Sequence, residues 1–372
     1  MDILKQDALM LDEAAVLRLK SLYRQYGYTP FRMSRFEEYD FYADNRSFLQ
    51  SESVITFTDL NGRLMAMKPD VTLSIVKGAP DDGAVQKVYY SENVYRADAS
   101  QRERSFREIM QVGLECIGRV DLYAQSEVVS LAARSLRVFS EDFTLDISHM
   151  AFVTGMLEDM PLTQAQRARL IEDIGRRNIS DLRTLCAGLD EKSTEALCAM
   201  ASVYGSFDEQ MPKLRAISRN RRTDEALDEL EALYAVLEDE GLSQNLHLDF
   251  SIMNDMRYYN GVTFVGFVAG VPRSVLSGGR YDNLLRKMGK NADAIGFAIY
   301  LDALDRLLHA DAGCEADVLL SYDAQSDAAL VAKAARAIAA EGKSVRVQRA
   351  GLQKPRCKTE IQMIRGKVPE IG

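Results

Sequence analysis

Histidine is scarce in this chain, the cysteines are scattered, and long apolar runs are missing. His149, His247 and His309 are the three histidines, far apart in sequence, which argues against a histidine-based metal centre. The five cysteines, Cys116, Cys186, Cys198, Cys314 and Cys357, include no CxxC pair. That is the pattern of free thiols in a reducing compartment, not of a disulfide framework or a zinc site. No apolar run approaches the ~18 residues of a membrane span, and no charged-then-apolar leader opens the chain. Basic residues are not in excess. Forty-six Lys and Arg against 55 Asp and Glu give a net charge of -9, which argues against a protein that coats nucleic acid. There are no internal repeats. These absences lead us to expect a cytoplasmic protein with no metal, no cofactor and no membrane contact.

What is present is enough apolar material for a packed core. The 372 residues are 47% hydrophobic, and the length suggests two or three domains. One stretch, Leu248 to Asp282, combines a strand-like run, the polar pair Asn254-Asp255, the tyrosines Tyr258 and Tyr259, an apolar run Val262 to Val268, and the pair Gly278-Gly279. Strands joined by turns, with glycines that let backbone approach a ligand, suit the floor of a small-molecule pocket. They equally suit a plain core hairpin.

The rest of the chain reads in order. Residues 8–26 place Leu11, Ala15, Leu19 and Leu22 at helical spacing, with Asp12 as cap and Gly27 as stop. Tyr28 to Glu37 is extended, bent at Pro30. Asn61-Gly62, between strands Ile55–Leu60 and Leu64–Lys68, predicts a tight hairpin, because both residues tolerate positive φ. A helix over Val71–Lys77 follows, with Asp70 or Thr72 at its start. An acid there caps the helix or receives a ligand's ammonium group. Val85–Arg96 and Ile109–Gly118 alternate as strands do, and the period of two sets Gln111, Gly113 and Glu115 on one face. The loop between them carries Arg102, Arg104 and Arg107, which suits an anionic ligand or a solvated hairpin tip. Gln111 and Glu115 lie in an otherwise apolar strand, and a buried carboxylate needs partners.

Leu122–Val138 reads as a helix and Phe143–Ser148 as a strand. Residues 151–242 read as helical throughout, with start signals at Thr163, Ser180, Ser193 and Thr223 and a break at Gly205. A helical block between strand-rich blocks reads as an inserted subdomain. Further on we expect a short helix at Leu284–Met288, a strand at Ala294–Ile299, a helix at Tyr300–His309, and a linker at Ala312-Gly313. Asp317–Ser321, Asp327–Glu341 and Ser344–Gln348 form a strand–helix–strand unit, and residues 350–372 carry no assigned structure.

Several of these segments together resemble the histidyl-tRNA synthetase family. Tyr89 to Gly118, with Tyr95-Arg96, the basic loop and Gln111-x-Gly113-x-Glu115, is similar to its motif 2. Asp59 to Thr72 is similar to its strand pair and R-P-E/D-x-T segment. Met256 to Phe264 resembles the histidine motif, and Ser277 to Leu284 and Ile295 to Leu301 the last core segments. The resemblance runs in matching order from about residue 8 to residue 308. It implies an α+β fold: a class II aminoacyl-tRNA synthetase-like antiparallel sheet core flanked by helices, with a helical insertion and a short C-terminal α/β remnant. The implied domains are 1–150 and 246–310 for the two parts of the core, 151–245 for the insertion, and 311–372 for the C-terminal segment. It also implies that Asp70, Thr72, Arg96, Gln111, Glu115, Tyr258 and Tyr259 hold histidine.

The departures bear on chemistry. Where the synthetases carry the arginine of R-G-L-D-Y-Y, this chain has Asn254. Where motif 3 ends G-L-E-R, it has Tyr300-Leu301-Asp302-Ala303, so Ala303 replaces the arginine that clamps ATP. Ser34, ahead of Glu37, stands where motif 1 has proline, and the anticodon-binding region is expected to be truncated. Adenylate formation depends on fixed positive charge at the phosphates, so two lost arginines cost orders of magnitude in rate. A core that keeps amino-acid recognition without activation is similar to the regulatory-subunit family of ATP phosphoribosyltransferase. That resemblance implies no catalysis by this chain, a short-form ATP phosphoribosyltransferase catalytic subunit as partner, a homodimeric core, and histidine as ligand of feedback regulation. The alternatives are a divergent histidyl-tRNA synthetase or amino-acid-activating ligase, and a truncated module that holds tRNA or another protein.

Overall fold

In the computed structural model, which describes residues 11–49, 54–80, 84–98, 105–252, 258–304, 307 and 314–363, the first apolar stripe forms α1 (Leu11–Gln25). It buries Ala15, Val16, Leu19 and Tyr23. Gly27, with φ of 80°, ends it in the left-handed conformation that glycine adopts without strain. Asp12 lies inside the helix and does not cap it. The chain then enters β1 (Thr29–Pro30), β2 (Phe36–Glu38), α2 (Tyr39–Asp44), β3 (Thr56–Thr58) and β4 (Leu64–Met67). The order β2-β4-β3 makes a small three-stranded sheet. The hairpin β3–β4 forms as expected, but its turn is wider than a two-residue connection. Asp59 Oδ1 accepts from the N–H groups of Asn61 and Arg63, both at 2.8 Å, and only Gly62 takes positive φ.

After α3 (Thr72–Gly78) come two long strands, β5 (Gln86–Asp98) and β6 (Ser105–Gly118), and then α4 (Leu122–Arg137), capped by Asp121. Strand β5 runs past its expected end at Arg96, and β6 begins ahead of its expected start at Ile109. Strand β7 (Phe143–His149) leads into the helices α5 (Met150–Glu158), α6 (Gln164–Gly175), α7 (Ile179–Leu185), α8 (Glu191–Ala201), α9 (Phe207–Ile217) and α10 (Arg221–Asp239). Thr163 caps α6, with Gln166 closing a capping box. Three other starts shift. The caps are Asn178, Asp190 and Asn220, and Ser193 and Thr223 are the residues whose backbone N–H groups bond to the latter two. The block is also not wholly helical. Tyr204–Ser206 forms a short strand, β8, antiparallel to β9 (Leu246–Asp249).

Strands β10 (Val262–Val268), β11 (Leu276–Arg280) and β12 (Asp293–Tyr300), with α11 (Asp282–Lys287) between the last two, complete a nine-stranded sheet ordered β1-β5-β6-β12-β11-β10-β7-β9-β8. It is antiparallel except at β1–β5 and β7–β9. Helix α4 lies across β7, β10, β11 and β12, beside α1 and α10. Of the expected helix Tyr300–His309, Leu301–Ala303 forms a 3-10 turn and Leu307 is helical; the other residues after Leu304, and the linker at Ala312-Gly313, lie outside the described residues.

Residues 1–304 form one compact unit and residues 305–372 a second. In the second, β13 (Ala316–Tyr322), α12 (Ala328–Ala340) and β14 (Val345–Arg349) realise the expected strand–helix–strand. A third strand, β15 (Cys357–Met363), falls where no structure was assigned and lies parallel to β13. Val318, Leu320, Val331, Ile338, Ile361 and Met363 form its core.

Candidate ligand cavity

Val265 lines a cavity, while at the next residue, Gly266, an added Cβ would lie 2.7 Å from Leu136 of α4. Neighbouring residues of a strand point to opposite faces, so the cavity lies on the side of the sheet that α4 does not cover. Its volume is about 630 Å³, and Asp70, Thr72, Arg96, Gln111, Glu115, Tyr258 and Tyr259 all line it. The seven residues come from four parts of the chain.

The period of two places Gln111 and Glu115 on one face of β6. Antiparallel register sets Gln111 opposite Tyr300 and Glu115 opposite Gly296 on β12. Gly296 is a close approach that no side chain could share, since an added Cβ would sit 1.7 Å from Glu115 Oε2. Glu115 is 2% exposed. Its carboxyl accepts from Thr72 Oγ1 at 2.8 Å and from Tyr281 Oη at 2.6 Å. Burial pushes its pKa up to about 8 against the opposing pull of the Tyr281 and Thr72 hydrogen bonds, and the Asp70 carboxylate adds to the rise.

Asp70 enters from the turn between β4 and α3. Its Oδ1 accepts from the backbone N–H of Leu73 at 2.9 Å, so it does contribute to the helix start. Burial raises its pKa, against the Arg96 guanidinium and the backbone N–H groups that favour the charged form. Arg96 Nε donates to the Pro69 carbonyl at 2.9 Å, and Arg96 Nη2 lies 3.7 Å from Asp70 Oδ2. The turn is anchored by Lys68, which is 1% exposed and ion-paired with Glu92 of β5.

Aromatic rings close the cavity on one side. Tyr258 packs on Tyr259 at 4.8 Å, on Tyr281 at 5.4 Å and on Phe48 at 6.1 Å. Burial raises the pKa of Tyr90, Tyr258, Tyr259 and Tyr281, so each remains a neutral phenol that can donate. Gln111 is 2% exposed, and its Nε2 makes no hydrogen bond among the described residues. The lining thus has two carboxyl groups, one guanidinium, an unused amide donor and an aromatic wall. Such a set complements a small zwitterion with an ammonium and a carboxylate.

Sequence reasoning missed Tyr90, Ser277, Tyr281 and Tyr300, which also line the cavity. The period of two running back from Arg96 along β5 reaches Tyr90 and could have found it. Asn254 lies outside the described residues, as do Arg102 and Arg104. Ala303 is buried in its 3-10 turn and brings no charge there. Arg107 pairs with Asp302 at 3.0 Å. Ser34 Oγ accepts from the Phe36 N–H at 3.4 Å, and Glu37 pairs with Lys77 at 3.0 Å. Among the described residues no cluster of three or more side chains could hold a metal, and no helix is long and apolar enough to cross a membrane.

The family model of histidyl-tRNA synthetase matches residues 1–304. An ATP phosphoribosyltransferase regulatory subunit of Clostridium kluyveri is 30% identical over 321 residues, 83% of this chain and 82% of that protein. One of Syntrophotalea carbinolica is 30% identical over 317 residues, 81% of this chain and 73% of that protein. A solved structure from Bacillus halodurans, described as an ATP phosphoribosyltransferase regulatory subunit/histidyl-tRNA synthetase, aligns with a TM-score of 0.72 at 25% identity, covering 92% of this chain and 90% of that one. A chain of the ATP phosphoribosyl transferase complex of Thermotoga maritima shares the fold, with a TM-score of 0.62 at 19% identity, covering 78% of this chain and 97% of that one.

Proposed function

Because this chain belongs to the ATP phosphoribosyltransferase regulatory-subunit family, within the wider histidyl-tRNA synthetase family, we propose that it regulates that enzyme through a histidine-binding cavity. The chain is a regulatory subunit in histidine biosynthesis and has no catalysis of its own. It works with the short-form catalytic subunit, and its core pairs with a second copy. In this reading residues 151–245 are an insertion between core parts 1–150 and 246–310, residues 311–372 are a separate C-terminal segment, and the complex is cytoplasmic.

One observation carries the reading: the recognition groups converge on one cavity, while position 303 is a buried alanine where activation needs a guanidinium. Arg96 is suited to the ligand's carboxylate, Asp70 and Glu115 to its ammonium and imidazole, and Gln111 Nε2 to an acceptor atom. Tyr258 and Tyr259 give the ring an aromatic surface. Thr72 holds Glu115. Feedback then follows from linkage. Histidine inhibits only as far as it binds the low-activity assembly more tightly than the active one.

The test is reconstitution. A short-form ATP phosphoribosyltransferase is assayed alone, with this chain, and with this chain plus histidine. We expect activity to appear with the chain and to fall with histidine; unchanged activity refutes the reading. Histidine-dependent ATP–pyrophosphate exchange by the purified chain would instead support the synthetase alternative.

A further inference from the structure

Strand β12 presents residues of rising size to the cavity. Gly296, Ala298 and Tyr300 all line it, two residues apart and so on one face. Register sets them opposite Glu115, Gly113 and Gln111 of β6, and sets Ala298 opposite Ser277 of β11. The middle row, Gly113, Ala298 and Ser277, therefore carries only small side chains, with the Tyr90 hydroxyl 2.5 Å from where a Cβ on Gly113 would stand. Glu115 bounds this trough at one end. At the other end Tyr300 turns back over it, with its Oη 3.3 Å from the Oγ of Ser277, one row in. The backbone beneath the ring is fixed, since the Tyr300 N–H donates to the Val275 carbonyl at 2.8 Å. The two end rows are four residues apart, about 13 Å at the rise of a strand.

A free amino acid whose imidazole meets Glu115 and whose carboxylate meets Arg96 and Gln111 fits that length with a hydrogen bond at each end. Anything attached to its carboxylate runs on past Gln111 into the Tyr300 ring. Position 300 is where the synthetase pattern G-L-E-R has its glycine, a residue with no side chain to stop such an extension. We propose that Tyr300 is a specificity determinant of this cavity: its ring closes the trough beyond the ligand's carboxylate, so that the site takes a free amino acid and turns away one extended at the carboxyl group. The proposal rests on the reading of the cavity as a histidine site, and adds to it which form of the amino acid is admitted.

The probes are L-histidine and the dipeptide histidylglycine, which keeps the ammonium, the imidazole and a carboxylate but sets that carboxylate one residue further out. Each is titrated calorimetrically into the full-length protein, and each ligand is compared with itself across the variants. Wild type and Tyr300→Phe, which keeps the ring, are expected to bind histidine and to reject the dipeptide. Tyr300→Gly and Tyr300→Ala are expected to bind the dipeptide at least roughly tenfold tighter than wild type does, the scale of relieving one overpacked contact, with no gain for histidine. A variant that had merely loosened would lose affinity for both ligands, and thermal melts check that each protein is folded. Wild type that binds the dipeptide as tightly as Tyr300→Gly overturns the proposal. So does a Tyr300→Phe protein that admits the dipeptide, or a dipeptide that neither Tyr300→Gly nor Tyr300→Ala admits. No binding of histidine by wild type refutes the histidine reading and this proposal with it, so the two failures are told apart.

Discussion

On the proposed reading of the cavity as a histidine site, Glu115 makes binding depend on pH in a direction that can be worked out. In the empty cavity burial holds its pKa at about 8, so at pH 7 only about a tenth of the molecules carry the carboxylate. A ligand ammonium or imidazole N–H placed against Glu115 favours the ionised form. Binding at pH 7 then releases roughly 0.9 proton, and affinity rises about fivefold between pH 7 and pH 8. The perturbation is Glu115→Gln, which keeps the shape and removes the titration. Calorimetry at both pH values, in two buffers of different ionisation enthalpy, reads affinity and proton release together. Titration of histidine itself is common to both proteins and cancels in the comparison. We expect the wild-type slope to be absent in Glu115→Gln, with affinity lower at pH 8. Equal slopes, or no proton release by wild type, would refute the reasoning. Stability has the opposite sign. Because the folded pKa exceeds the unfolded one, this group's contribution is fully present below about pH 4.5 and is lost as pH rises through about 8. The unliganded protein is therefore expected to melt earlier as pH rises through that window, and less so when Glu115 is Gln.

Two further substitutions test the scaffold. Gly296→Ala puts a methyl group 1.7 Å from Glu115 Oε2 and 2.5 Å from the Leu114 carbonyl. It is expected to cost roughly 1–3 kcal/mol by overpacking and to weaken histidine binding, read by chemical denaturation and calorimetry. Lys68→Met leaves Glu92, whose side chain is 19% exposed, without its buried cation. The expected loss is about 3 kcal/mol, the low end for a broken buried pair, largely recovered when Glu92 is replaced by Gln as well; a non-recovering double variant would show that Lys68 acts through packing.

Local rules found elements whose signal is local. The run Val262–Val268 is a strand because a largely apolar stretch, broken only by Thr263 and Gly266, suits a strand covered on both faces, and it forms over those residues. The helix starts moved for a related reason. Thr223 bonds reciprocally with Asn220, so a residue in the first turn carries the same hydroxyl signature as a cap. Strands β8 and β15 escaped because their definition is long-range. Tyr204–Ser206 becomes a strand only by pairing with β9, and in β15 only Ile361 and Met363 are buried. The cavity was half legible. Alternation put Gln111 and Glu115 on one face, but no period connects them to Asp70 or Tyr258. That convergence came from family resemblance, and it missed Tyr281, whose hydroxyl reaches Glu115 across the sheet.

The pairing of β6 with β12 has a consequence in time. It sets Gln111 against Tyr300, so the cavity's floor joins segments from early and late in the first unit. During synthesis the recognition groups of β5 and β6 exist as a hairpin well before their partners have been made, and domains fold as their chain emerges. Contacts of such sequence separation are among the slow ones to form. A ligand held by both strands therefore has nothing to bind until the unit is nearly finished. It stabilises the completed protein chiefly by slowing its unfolding, not by guiding its assembly. On the proposed histidine reading, a cell poor in histidine would make this subunit as fast as one rich in it, and keep it for less time.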